Sequence, residues 1–317
     1  MSANRIVALT GGVGGAKLCL GLQRVLPPDS LRIIVNTGDD FDHLGLRICP
    51  DVDTTLYTLG GLANSEMGLG RQDETWTFMR TLATLGGETW FRLGDGDLAL
   101  HVERTRRLAS GDTLTDFTAD VATRFGIGAQ VLPMSDDPVR TVVNTPAGEI
   151  GFQEYFVRNR CAPIVTGLRF AGAETARLST AVTQALREDG LRAILIAPSN
   201  PYLSVDPILA LPGMRAALRG CAVPVIAVTP IIGDAAVKGP TAKIMKELGI
   251  TPSPLAVIEH YRGLIDGFVL DSRDAHLSDR IDIPVKICDT LMLTLEDRQR
   301  VASSALDLAT ALMARAR

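Results

Sequence analysis

The stretch RIVALTGGVGGAKL, residues 5–18, decides how the chain is read. An apolar, β-branched run ends in Gly11, Gly12, Gly14 and Gly15, and a helix-spaced run, GAKLCLGLQRVL, follows at once. Strand, glycine turn, helix is the opening unit of a parallel sheet flanked by helices. Glycines at such a turn leave backbone N–H groups open to an anion, because no side chain stands in the way and positive φ costs little. A phosphate is the natural guest, and Lys17 adds a positive charge beside it. The spacing meets neither the Walker A pattern nor the dinucleotide fingerprint, so close strand–helix packing is the competing reason for these glycines.

The same rhythm recurs outward from this unit. LRIIVNTGDD, LRAILIAPSNP, CAVPVIAVTPIIG, GFVLDSRD and PVKICD read as further strands, STAVTQALREDG as a helix ahead of the second of these, and EDRQRVASSALDLATALMARA as a closing helix. The pattern predicts a Rossmann-like, mostly parallel, doubly wound α/β sheet with ligands at the carboxyl ends of its strands. From about 66 to 125, beginning at Glu66, helical patterning dominates in DETWTFMRTLATLG and DTLTDFTADVATRFG. It predicts a mainly helical insertion capping the active-site edge of one α/β domain spanning 1–317. TVVNTPAGEIGFQEYFVR, which comes next, reads as a hairpin.

Composition narrows the function. With 317 residues, 46% of them hydrophobic, the chain can bury a large core. A net charge of -4 gives no basic field, which argues against a nucleic-acid partner. Five scattered cysteines form no CxxC pair, so neither a zinc knuckle nor a redox dithiol is indicated, and a reducing cytoplasm fits them. No apolar run approaches membrane-spanning length, and the start turns glycine-rich before a signal-peptide core develops, so no membrane partner is expected. His43, His101, His260 and His276 lack metal-site spacing and read as surface or satisfied core residues.

Chemistry concentrates in NTGDDFDHLGLRICPDVDTTLYTLGGL, where Asp39, Asp40, Asp42, Asp51 and Asp53 fall within fifteen residues. So many acids at a strand end repel one another unless a cation or hydrogen-bond donors compensate. Mg2+ takes oxygen ligands, commonly one or two carboxylates with water and substrate phosphate, which makes Asp40, Asp51 and Asp53 candidate ligands across from a phosphate turn. The bland readings are that Asp53 caps a helix and Asp42 faces water. In WFRLGDGDLALH, Trp90 and Arg92 could clamp a flat heterocycle while Asp95 and Asp97 shape a turn from Gly94. In APSNPYLSVDPIL, Ser199, Asn200 and Ser204 offer rigidly held donors and acceptors suited to a nucleotide.

Taken together and in order, TGGVGGAKL, the acidic segment, RQDETW, WFRLGDGDLALH, FQEYFVRNR, APSNPYLSVDPIL and VTPIIG closely resemble the 2-phospho-L-lactate transferase family of coenzyme F-420 biosynthesis, over nearly the whole chain. The resemblance implies a Rossmann-like core and a homodimer. It also implies magnesium-dependent transfer of a phosphorylated three-carbon acid from a GDP-linked donor to the ribityl hydroxyl of the deazaflavin Fo, releasing GMP. On that reading Gly11, Gly12, Gly14, Gly15, Lys17, Ser199 and Asn200 lie on the nucleotide side. Asp40, Asp51 and Asp53 match the acids near metal and Fo, Asp53 being the one expected to orient or deprotonate the hydroxyl, and Trp90 and Arg92 border the deazaflavin. Phospholactate, phosphoenolpyruvate and 3-phosphoglycerate remain open as the acid. The runner-up function is a non-catalytic regulator that binds nucleotide sugars on a related fold.

Overall fold

Seven strands make the central sheet: β1 (Arg5–Thr10), β2 (Leu31–Val35), β3 (Gln130–Pro133), β4 (Leu191–Ile196), β5 (Val225–Val228), β6 (Gly267–Asp271) and β7 (Val285–Cys288). They come from a computed structural model that describes residues 4–64, 70–233, 235–236 and 240–315. The expected start of the insertion at Glu66 lies outside the described residues. The spatial order is β7-β6-β5-β4-β1-β2-β3, and every pairing is parallel. The winding direction therefore reverses between β1 and β4, which opens a crevice at their carboxyl ends.

Parallel strands must be covered on both faces, and these residues alternate accordingly. On β1, Ile6 and Ala8 join a layer built from Leu18 and Leu22 of α1 (Gly12–Val25) and Val301 and Ala305 of the closing helix, Leu295–Arg315. Val7 and Leu9 enter the opposite layer with Ile208, Val257 and Tyr261. All five residues of β2 are buried. Among the described residues no helix is long and apolar enough to cross a membrane.

Between β2 and β3 the chain forms a small hairpin, Phe41–His43 with Leu46–Ile48, then α2 (Pro50–Leu59), α3 (Thr77–Thr84), α4 (Asp95–Ala109) and α5 (Leu114–Arg124). Phe117 and Val121 of α5 belong to the sheet core, so α5 is the crossover into β3. Two expectations change here. The glycine–aspartate turn at Gly94–Asp97 is the start of α4: Gly94 is its N-cap, and Asp95 and Asp97 fall in its first turn, where the helix dipole favours acids. The hairpin Arg140–Thr145 with Gly148–Gly151 forms as expected and gains a third strand, Gly167–Ala171. The segment EYFVR, however, makes a helical turn that buries Tyr155 beside Phe152 and Val143. This small sheet is tied to the crevice by the Thr141 N–H, which donates to the Gly38 carbonyl at 2.6 Å.

Candidate active site

Because β1 and β4 leave the sheet side by side, the glycine turn meets the Ser199 loop. Ser199 Oγ donates to the Gly11 carbonyl at 2.8 Å and accepts from the Gly11 N–H at 3.3 Å. Gly12, at φ +65°, donates its N–H to Asp51 Oδ1 at 2.8 Å. The N–H groups of Val13 and Gly14 follow in the first turn of α1, which has no side-chain cap and no acid of its own, so they are unsatisfied within the helix. The packing role is equally visible. A Cβ on Gly15 would collide with Thr10 Oγ1 and Ser199 Oγ, and one on Gly14 would stand 2.6 Å from the Pro198 carbonyl.

Asn200 caps its own loop, accepting from the Tyr202 and Leu203 N–H groups at 3.0 and 3.2 Å, while its Nδ2 is buried without a partner. Lys17 was expected beside the phosphate. Its ammonium instead donates to the Met292 carbonyl at 2.8 Å, tying α1 to the segment that enters the closing helix.

The acids divide as their positions dictate. Asp42 is exposed and paired with Arg47 at 2.7 Å. Asp39 and Asp40 lie on the turn after β2, and Asp51 and Asp53 in the first turn of α2, whose N-cap is Cys49 with Pro50 behind it. Asp53 is therefore not the cap. All four are buried, at 3–6% exposure. Asn36 links the turns: its Nδ2 donates to Asp51 Oδ2 at 2.9 Å, and its Oδ1 accepts from the Gly38 N–H at 2.7 Å.

Burial pushes the Asp40 carboxyl up to about 7 against the pull of Cys49, Arg140 and Arg104. Burial raises Asp51 to about 6, with Asn36 and the Gly12 N–H opposing. It lifts Asp39 well above the usual range, reinforced by the charge of Asp51. Asp39 Oδ1, Asp40 Oδ1 and Asp53 Oδ2 are buried with no hydrogen-bond partner. Orphaned carboxylate oxygens are what a hard divalent cation such as Mg2+ satisfies, and among the described residues Asp53, Asp97 and His101 are the group whose ligand atoms lie within 4.8 Å of one another.

A pH effect follows. Asp40 and Asp51 have folded values above the roughly 3.9 of an unfolded aspartate. Their contribution to stability is thus complete below pH ~4 and is lost as pH rises through about 6 and 7. A cation bound to the ionised carboxylates offsets that loss, so Mg2+ should raise the melting temperature at pH 8 by several degrees and far less at pH 5. Equal shifts at both pH values, measured by scanning fluorimetry, would contradict a carboxylate site.

Asp53 has its own counter-ion. Arg104, fully buried on α4, pairs with Asp53 Oδ1 and donates from Nη1 to the Arg47 carbonyl at 3.1 Å. Its Nη1 also lies 3.2 Å from His101 Nδ1. His101 Nε2 lies 3.2 Å from Asp97 Oδ2, and Tyr57 donates its hydroxyl to Asp97 Oδ1 at 2.6 Å. Burial raises the Asp53 carboxyl, with Arg104 and His101 opposing. Asp97, His101 and Arg104 recur on one face of α4 at i, i+4 and i+7. That spacing was the available signal for three residues the sequence reading left unused.

Trp90 and Arg92 do not pair with each other. Arg92 stacks over Trp76, 4.2 Å from its ring, rather than beside Trp90. The cation over Trp90 is Arg158, at 5.0 Å, held by Glu88 at 3.2 Å. Trp90 and Phe91 pack edge-on or tilted against His43 and Phe41 of the hairpin that follows Asp40, with centroids 4.9–6.1 Å apart. Asp95 does shape the chain locally, accepting from the Thr77 and Phe78 N–H groups at 3.1 and 3.0 Å.

Comparison with known proteins matches residues 6–291 to a family model described as 2-phospho-L-lactate transferase CofD. A Streptomyces coelicolor protein named phosphoenolpyruvate transferase is 40% identical over 312 residues, covering 96% of this chain and 97% of its own. A Methanosarcina mazei 2-phospho-L-lactate transferase is 38% identical over 300 residues, covering 94% and 98%. In structure, a UPF0052-family protein from Bacillus halodurans superposes with a TM-score of 0.65 over 96% of this chain and 99% of that one, at 14% identity, which speaks for the fold alone.

Proposed function

The chain belongs to the 2-phospho-L-lactate transferase CofD family, and from that premise we propose that it transfers a phosphorylated three-carbon acid from a GDP-linked donor to the ribityl hydroxyl of Fo, releasing GMP. The observation that carries this reading is the 2.8 Å hydrogen bond from the Gly12 N–H to Asp51 Oδ1. It joins the anion-binding turn to the buried acids in one site, as attack by an alcohol on a diphosphate requires.

The N–H groups at the start of α1 hold the donor diphosphate, and Ser199 with the unpartnered Nδ2 of Asn200 border its nucleotide. Asp40 and Asp51, two of the three expected ligands, would hold Mg2+, which when bound supplies positive charge to the diphosphate oxygens. Asp53, already paired with Arg104, serves the acceptor. Its Oδ2 accepts a hydrogen bond from the ribityl hydroxyl and takes the proton as the oxygen bonds to the phosphorus bearing the acid. The bond from that phosphorus to the bridging oxygen breaks, and GMP leaves with that oxygen. Magnesium dependence, a dimeric assembly and a cytoplasmic setting are part of the proposal.

Trp90 offers its face to the deazaflavin. Trp90→Ala should raise KM for Fo about 10-fold, the usual worth of one lost ring stack, with GDP affinity unchanged. An unchanged KM would move Fo elsewhere. The function itself is tested by incubating the protein with Fo, Mg2+ and each GDP-linked acid, following GMP by chromatography and the product by mass. The phosphoenolpyruvate product is lighter than the phospholactate product by two hydrogens, so mass names the donor. Nucleotide binding without GMP release from any donor would leave the non-catalytic regulator as the better reading.

A further inference from the structure

The transferase reading assigns Asp53 a role but leaves Arg104 and His101 without one. Arg104 is among the largest fully buried side chains of the chain, and its face lies 5.4 Å from the Phe117 ring. A guanidinium taken wholly out of water is costly unless it is paired, and here Nη2 meets Asp53 and Nη1 meets the Arg47 carbonyl and His101, while Nε is left without a hydrogen-bond partner. His101, 1% exposed, lies in turn 3.2 Å from Asp97. One carboxylate oxygen of Asp53 is thus clamped, while Oδ2 has no hydrogen-bond partner and only His101 Nδ1, 3.7 Å away, beside it. A carboxylate held at one oxygen has its other oxygen aimed.

We propose that Arg104, backed by His101 and Asp97, is a positioning residue that fixes the direction of Asp53 Oδ2 toward the acceptor hydroxyl. The inference rests on the transferase reading. It divides the acidic cluster: Asp53 is bonded to a guanidinium, whereas Asp40 feels Arg140 and Arg104 only through their charge and Asp51 is held by the neutral donors Asn36 and Gly12. Removing Arg104 should therefore disturb turnover without weakening Mg2+ or GDP binding.

Arg104→Lys keeps the charge but cannot span three partners at once, and its kcat should fall about 10-fold at unchanged KM for both substrates. Arg104→Met should lower kcat about 100-fold, the size expected from a misaligned reacting group. In an Asp53→Asn background both substitutions should change kcat less than 3-fold, because a residue acting through Asp53 has nothing left to position. Calorimetry should give wild-type dissociation constants for GDP and Mg2+ in all these variants.

Wild-type kcat in Arg104→Lys would overturn the proposal, as would a full additional loss in the double variant or a matching loss of Mg2+ affinity. If Arg104→Met does not fold, Arg104→Lys and His101→Gln carry the same test; His101→Gln should cost about 5-fold in kcat in the wild-type background and nothing beside Asp53→Asn. Failure of the transferase reading looks different: the wild-type protein itself would release no GMP. In that case melting temperatures of the same single and double variants still report whether Arg104 and Asp53 are coupled.

Discussion

Replacing Asp53 with asparagine should lower turnover about 1,000-fold, within the range that a positioned general base contributes, while GDP still binds with its normal affinity. Asparagine keeps the shape and can accept one hydrogen bond from Arg104, but it cannot take a proton and carries no charge. The second consequence is structural. Arg104 would be left fully buried opposite a neutral amide, which costs about 3 kcal/mol. For a chain of this length that is a melting temperature lower by roughly 4–5 °C. Steady-state kinetics, GDP calorimetry and thermal melting on one preparation separate the two effects. Near-normal turnover would remove Asp53 from the chemistry, and an unchanged melting temperature would mean that the pair with Arg104 is not the buried bond described above.

The second large effect is expected at Gly14. A Cβ there stands 2.6 Å from the Pro198 carbonyl, a backbone atom that cannot step aside, and the two γ-methyls of valine crowd the same space. Gly14→Val must push the start of α1 away from the β4 exit, at about 3 kcal/mol for overpacking. The same movement displaces the N–H groups that hold the diphosphate, so GDP affinity should fall at least about 100-fold, as expected when several charge-assisted hydrogen bonds are lost together. Gly12→Ala is the matched control. Its Cβ meets only Ser204 Oγ at 3.9 Å, so the cost is the left-handed backbone, about 1 kcal/mol. Should Gly14→Val bind GDP normally while melting lower, the turn packs and does not bind.

Much of this was legible in the sequence because the period of a buried parallel strand is unmistakable: β1, β2, β4 and β6 are nearly continuous apolar runs ending in glycine or polar residues. The meeting of Asp39 and Asp40 with Asp51 was legible too, since only a short hairpin separates the two acidic turns. Arg104 was not. It lies about fifty positions from Asp53, and reading Gly94–Asp97 as a loop hid the helix whose face carries Asp97, His101 and Arg104 together. Arg92 failed for another reason. Side chains two positions apart on an irregular segment need not share a direction, and here one cation goes to Trp76 while Trp90 receives Arg158 from a distant turn. Chain proximity ranks contacts well within a helix or strand and poorly between loops.

The hydrogen bonds between Gly11 and Ser199 join positions 188 residues apart, and the one from Lys17 to Met292 spans 275. At synthesis rates of about 5–20 residues per second, roughly 10–40 s pass between the emergence of Gly11 from the ribosome and that of Ser199. During that interval β1 has β2 on one side and nothing on the other, an open apolar edge in need of protection. Nucleotide cannot assist the nascent chain, because half of its pocket has not been made. On the proposed function, occupancy by GDP would therefore mark the finished protein, and chains released early carry the glycine turn without the partner that shapes it.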